Sequence, residues 1–225
     1  MNALRNWWLT FPGLVLIAGL AAAAVAWWLI AVPVVTLSNI EKHAGHFPWV
    51  YLHMLGGTLM LILGAANLYI GSTRQFWRFH KAIGYTYLSG GTVSSLIAIP
   101  LALGQVHNAD ASFSLTDASD MGVSLASLSI AWLIASGMAL RAAINRRFDS
   151  HQAWMIRSYV LTWSFVLCRL AGRIPAFSDL GDGAAAVWLS WIVPLILAEV
   201  CLQWRAGANN HVWTPPSSSC CRSDL

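Results

Sequence analysis

Apolar residues in this chain come in long runs, not in alternation, and six of the runs are of bilayer length. They cover about 12–35, 49–71, 83–104, 121–143, 152–173 and 184–204, each close to the ~20 residues a helix needs to cross a hydrocarbon core. In lipid the backbone N–H and C=O groups have no water to bond, so such runs read as helices. Short connections join them, which predicts an all-α integral membrane bundle of about six transmembrane helices. The bundle is expected to form one domain over residues 1–206, with a disordered tail over 207–225 that holds Pro215, Pro216 and a run of serines. The first run exceeds the roughly 7–15 residues of a signal-peptide core and reads as a retained span.

Composition agrees and removes alternatives. Of 225 residues, 57% are hydrophobic and 10% charged, where a soluble domain carries roughly 25% charged residues. A soluble enzyme, a disordered chain, a disulfide scaffold and a nucleic-acid binder are all excluded as leading readings. Cys168 and Cys201 lie in apolar runs and Cys220 and Cys221 in the tail, with no zinc or disulfide spacing among them. The paired tail cysteines are at most a weak palmitoylation motif.

Charge sets the expected orientation. With an even number of crossings both termini share a side, together with Arg5, Arg74, Arg78, Lys81, Arg141, Arg146, Arg147, Arg205 and Arg222. The other side carries Lys42, Arg169 and Arg173. The positive-inside bias then predicts an inner-membrane protein with both termini cytoplasmic. Several of the 13 tryptophans, among them Trp77, Trp154 and Trp204, fall at predicted span ends, where the headgroup zone favours indole rings.

Candidate chemistry lies in the histidines. On the second span Gly57, Met60, Gly64, Asn67 and Gly71 all fall within about 40° of His53 on a helical wheel. The third repeats the pattern with His80, Gly84, Tyr87, Gly91, Ser94 and Ala98. Such stripes let helices pack closely, and a bulky side chain at Gly64 or Gly91 should then destabilise the protein. Alternatively the glycines clear room for a flat cofactor, with a histidine as axial ligand. His53 falls at the outer end of its span and His80 at the inner end of the next, so one centre cannot use both. His151 is placed to pair with His80, and His43, His46 or His107 with His53. A histidine pair at each face is the layout of a two-haem electron carrier.

The fifth span adds basic residues. Ser150 is the expected N-cap, and His151 and Arg169 are 18 residues apart, hence on one face. Arg173 lies about 40° from them. Arginines inside a membrane mark functional sites by default, and Arg157, Arg169 and Arg173 are read as holding an anionic group such as a haem propionate, a quinone or a lipid, with Arg157 also able to snorkel to phosphates. Glu41, His43 and His46 offer a second metal-ligating set in the outer loop. No nucleophile elbow, phosphate loop or dinucleotide fingerprint is present, and no reaction is assigned.

The motifs His53-x3-Gly57, His80-Lys81-x2-Gly84-x2-Tyr87 and His151-x2-Trp154-Met155-x-Arg157-Ser158-Tyr159, with Arg169 beyond, resemble a bacterial multi-pass membrane family of unknown function over about residues 45–200. The resemblance implies an integral membrane protein and no particular activity. In that family the middle motif has arginines where this chain has Lys81 and Tyr85. Similarity to two-haem membrane cytochromes is one of layout alone.

The expected function is therefore binding of b-type haem by His80 and His151 inside and by His53 with an outer histidine, the three arginines holding anionic groups and a quinone or redox protein exchanging electrons. The rivals are a small-anion or lipid binder or transporter, and a structural or assembly protein whose stripes only pack helices.

Overall fold

The computed structural model describes residues 2–26, 47–107, 115–171 and 184–210, with side chains of the first helix described from Gly13 onward. The described residues form a bundle of six helices: α1 (Asn2–Ala26), α2 (Phe47–Thr73), α3 (Trp77–His107), α4 (Leu115–Ile144), α5 (Phe148–Ala171) and α6 (Ala184–Asn210). There is no strand among the described residues. Helices consecutive in the chain pack on one another where their junctions are described, α2 also meets α5, α4 meets α6, and α1 lies along α2.

Among the described residues four helices are long and apolar enough to cross a membrane: Pro48–Thr73, Trp77–Leu103, Asp120–Ile144 and Ala185–Arg205. Six such spans were expected. The described apolar stretch of α1, Gly13–Val25, is shorter, and the expected continuation to residue 35 lies outside the described residues. Helix α5 falls short because it carries His151, Gln152, Arg157 and Arg169. It is nonetheless packed within the protein, with Met155, Ser158, Tyr159, Leu161, Thr162, Ser164 and Val166 all buried. Polar groups at membrane depth are tolerated where neighbouring helices satisfy them.

The distribution of side chains suits lipid rather than water. Leu96, Ile130, Ile134, Ile196 and Leu197 project outward, while the buried polar residues among those described are serines, one threonine and one asparagine. Lipid tails do not drive apolar groups together, so close approach and interhelical hydrogen bonds hold such a bundle.

Two tight turns set the end of the bundle at which the histidines of α3 and α5 lie. Helix α4 ends in a Schellman motif: the Arg147 N–H donates to Ala142 O (2.9 Å) and the Arg146 N–H to Ala143 O (3.0 Å), with Arg146 at φ 56°. Arg147 O then accepts from the His151 N–H at 2.9 Å. Helix α5 thus starts at Phe148, and Ser150 sits within its first turn instead of capping it. Between α2 and α3, Arg74 and Phe76 also adopt positive φ. Helix α3 starts at Trp77, earlier than the expected 83, which places His80 inside its first turn. Helix α6 runs to Asn210, past the boundary expected for the tail.

Candidate functional site

Over Gly64–Gly71 and His80–Tyr87 the two small-residue stripes face each other across the α2–α3 contact, in antiparallel register, whereas Gly57 faces Phe165 of α5 and Gly91 faces Trp132 of α4. A Cβ on Gly56 would meet Ser94, on Gly64 Tyr87, and on Gly71 the His80 ring, while one on Gly84 would meet Asn67. Each histidine therefore heads its own stripe and lies at the tail of the other. The hollows left by the central glycines are filled by this chain's own aromatic rings: Tyr159 and Tyr87 sit against Gly64, and Trp132 sits against Gly91. The expectation that these glycines clear a slot for a flat cofactor is corrected by that filling, since the space is occupied by protein.

Between the histidine ends runs a hydroxyl network that ties α3, α4 and α5 together. The Tyr87 hydroxyl, fully buried, lies 2.8 Å from Ser158 Oγ and 3.2 Å from Thr162 Oγ1. Ser136 Oγ is 2.8 Å from Ser158 Oγ, and Trp132 Nε1 donates to Thr162 Oγ1 at 3.1 Å. Tyr159 donates to the Leu61 carbonyl at 3.2 Å. Every hydroxyl in this network has a partner, so the network rigidifies the core.

At the turn end of the bundle His80 and His151 come together, their ring centres 6.4 Å apart and their planes at 83°. His151 Nδ1 lies 2.9 Å from Ala139 O. A carbonyl only accepts, so Nδ1 carries the hydrogen of this bond and Nε2 is left for another partner. The indole of Trp77 stacks on His80 at 4.7 Å and 6°. Two buried polar atoms there have no hydrogen-bond partner, His80 Nδ1 and Asn67 Oδ1, and such atoms are uncommon in native interiors.

His53 lies at the opposite end. Its Nδ1 is 3.0 Å from both the carbonyl and the hydroxyl oxygen of Ser94, and that hydroxyl donates to His53 O at 3.0 Å. By the same reasoning Nδ1 is the donor and Nε2 is left free. The expected partners His43 and His46 lie outside the described residues, as does Glu41, and the side chain of His107 is not among those described.

The basic residues of α5 do not form one site. Arg157 and Arg169 are separated by about 18 Å of helix rise. Arg169 is exposed near the far end of α5, and Arg173 lies outside the described residues. Arg157 is engaged within the protein: Nε and a terminal nitrogen both contact Glu199 Oε2, at 2.8 and 2.6 Å, and the guanidinium lies over Trp154 at 4.7 Å. Gln203 donates to the other Glu199 oxygen at 2.8 Å. Sequence reasoning passed over Glu199, although a lone carboxylate in the last apolar run was a legible signal for a cation inside the bundle. It also passed over Ser136 and Thr162, for which no sequence signal stands out.

Among the described residues no group of three or more His, Cys, Asp or Glu side chains is placed to hold a metal ion. Cys168 is half-buried and Cys201 exposed, both free.

Comparison with known proteins adds a setting. A family model described as "Predicted membrane protein (DUF2306)" matches residues 50–202, well over half of the chain. No curated protein and no solved structure matches it.

Proposed function

Because this chain belongs to DUF2306, a family described as predicted membrane proteins, we propose a function that operates within a bilayer: cofactor binding at the His80–His151 pair, with b-type haem as the cofactor. The observation that carries the reading is the approach of two imidazoles to 6.4 Å, with the His151 ring held by the Ala139 carbonyl. Two imidazoles this close would both be within reach of a single metal ion, and these are the residues that would hold it. Fixing Nδ1 on a carbonyl is also the usual way a ligating histidine is oriented.

The number of donors selects the cofactor. Two imidazoles leave a structural zinc ion short of its usual four ligands. A haem iron takes four from the porphyrin and needs two from the protein. When bound, such a group supplies one-electron transfer, and a quinone or redox protein would be its exchange partner. A second centre at His53 would draw its other ligand from His43, His46 or His107. The basic residues around the turn end, among them Arg74, Arg78, Arg146 and Arg147, support a cytoplasmic placement of that end in the inner membrane.

The structural reading is favoured by a separate observation, the filling of the Gly64 and Gly91 hollows by Tyr159, Tyr87 and Trp132. It accounts for the stripes and leaves the unpartnered His80 Nδ1 and Asn67 Oδ1 without a role.

The test is a reduced-minus-oxidised absorption spectrum of protein purified from haem-replete cells, as wild type, His80→Ala and His151→Ala, with thermal unfolding as the control for folding. The reading expects sharp haem bands in the wild type and their loss in both variants. A folded, colourless wild type, or full bands in both variants, would overturn it.

A further inference from the structure

A second site lies on the flank of the bundle toward its turn end, where the first turns of α5 face the last turns of α6. The two helices border an open hollow of about 300 Å³ whose walls include Asp149, Gln152 and Arg157 on one side and Gln203 and Arg205 on the other. Its charges fall into two groups. Arg157 and Glu199 neutralise each other, and both Glu199 oxygens are taken, by Arg157 and Gln203. Asp149 and Arg205 stand on facing walls and form no ion pair, that of Arg157 with Glu199 being the only one among the described residues. The hollow thus presents one unmatched anion and one unmatched cation, with spare N–H donors of Arg157 and the side-chain amide of Gln152 between them.

The position says where a ligand would come from. The apolar stretch of α6 that can cross a membrane ends at Arg205, and the neighbouring Trp204 is 79% exposed, as expected of an indole at the bilayer edge. Ile156 and Leu202 extend the wall toward the apolar part of the bundle. We propose that this hollow binds the headgroup of a zwitterionic phospholipid bearing a primary ammonium group, of the phosphoethanolamine kind. The phosphate takes Arg205 and the free N–H groups of Arg157, the ammonium donates to Asp149, and the glycerol and upper acyl carbons lie along Ile156 and Leu202. A trimethylated headgroup has no N–H to donate to Asp149, and a purely anionic headgroup leaves that carboxylate facing like charge.

The experiment is native mass spectrometry of the full chain in detergent, titrated with phosphatidylethanolamine, phosphatidylcholine and phosphatidylglycerol of matched acyl chains. Loss of one charge-assisted hydrogen bond changes affinity by about tenfold, so phosphatidylethanolamine should bind about tenfold more tightly than phosphatidylcholine. Asp149→Asn should abolish that preference and keep phosphatidylcholine binding unchanged. Arg205→Gln should weaken both lipids. Both positions are exposed, so neither change empties the core. Equal binding of the three lipids by the wild type, or an unchanged preference in Asp149→Asn, would overturn the proposal. Displacement of the bound lipid by low-millimolar inorganic phosphate would overturn it in favour of a free-phosphate site.

Discussion

Replacing Gly91 with alanine puts a methyl group into the space held by the Trp132 ring. The new Cβ would stand inside van der Waals contact of Cη2, Cζ2 and Cζ3 of Trp132. That ring is 3% exposed, and its Nε1 is tethered to Thr162 at 3.1 Å, so it cannot retreat without breaking the hydrogen bond. Overpacking a core costs about 1–3 kcal/mol, and an interhelical hydrogen bond in a membrane protein is worth about 0.6 kcal/mol. Helix propensity returns about 0.8–1.0 kcal/mol for Gly→Ala. The net expectation is a loss of about 0.6–2.8 kcal/mol.

Two controls isolate the cause. Gly90, one residue earlier, has open space where a Cβ would go, so Gly90→Ala should be neutral or stabilising by up to about 1 kcal/mol. In a Trp132→Phe background the six-membered indole ring that clashes is gone, so Gly91→Ala should lose most of its cost, a non-additivity expected only of residues in contact. Reversible unfolding in mixed micelles, followed by far-ultraviolet circular dichroism, measures the wild type and all four variants. If Gly91→Ala proves as stable as Gly90→Ala, or costs the same with Phe at 132, the packing argument is refuted.

Tyr87→Phe should cost about 0.6–1.5 kcal/mol, because Ser158 and Thr162 lose a buried partner. Tyr85→Phe on the exposed side of the same helix should cost nothing measurable in the same unfolding assay, and equal effects would count against the network. At the α4 terminus Arg146→Gly should raise the melting temperature, by a few tenths to about 1 kcal/mol of stability, since the position has φ 56°. Arg146→Val should lower it because a β-branched residue is strained there. A fall in both variants would show that the Arg146 side chain contributes more than its backbone conformation costs.

The membrane setting and the helical content were legible in the chain itself, because both follow from local quantities. An apolar run of bilayer length leaves the backbone no choice but to bond to itself, wherever the run is later packed. The pairing of the stripes was half legible: the spacing of His53, Gly64, Asn67 and Gly71 defines a face on one helix, but says nothing of which element lies against it. The tertiary structure decided that Gly71 faces His80 and Asn67 faces Gly84, that Gly91 receives Trp132, and that the glycine hollows hold aromatic rings. It also decided the charge state of the site, since Arg157 and Glu199 are 42 residues apart in the chain and meet at 2.6 Å. An intramembrane arginine read alone looks like a cation in search of a ligand. Whether it is one depends on what a distant helix brings to it, because in a medium that cannot solvate charge the nearest carboxylate settles the matter.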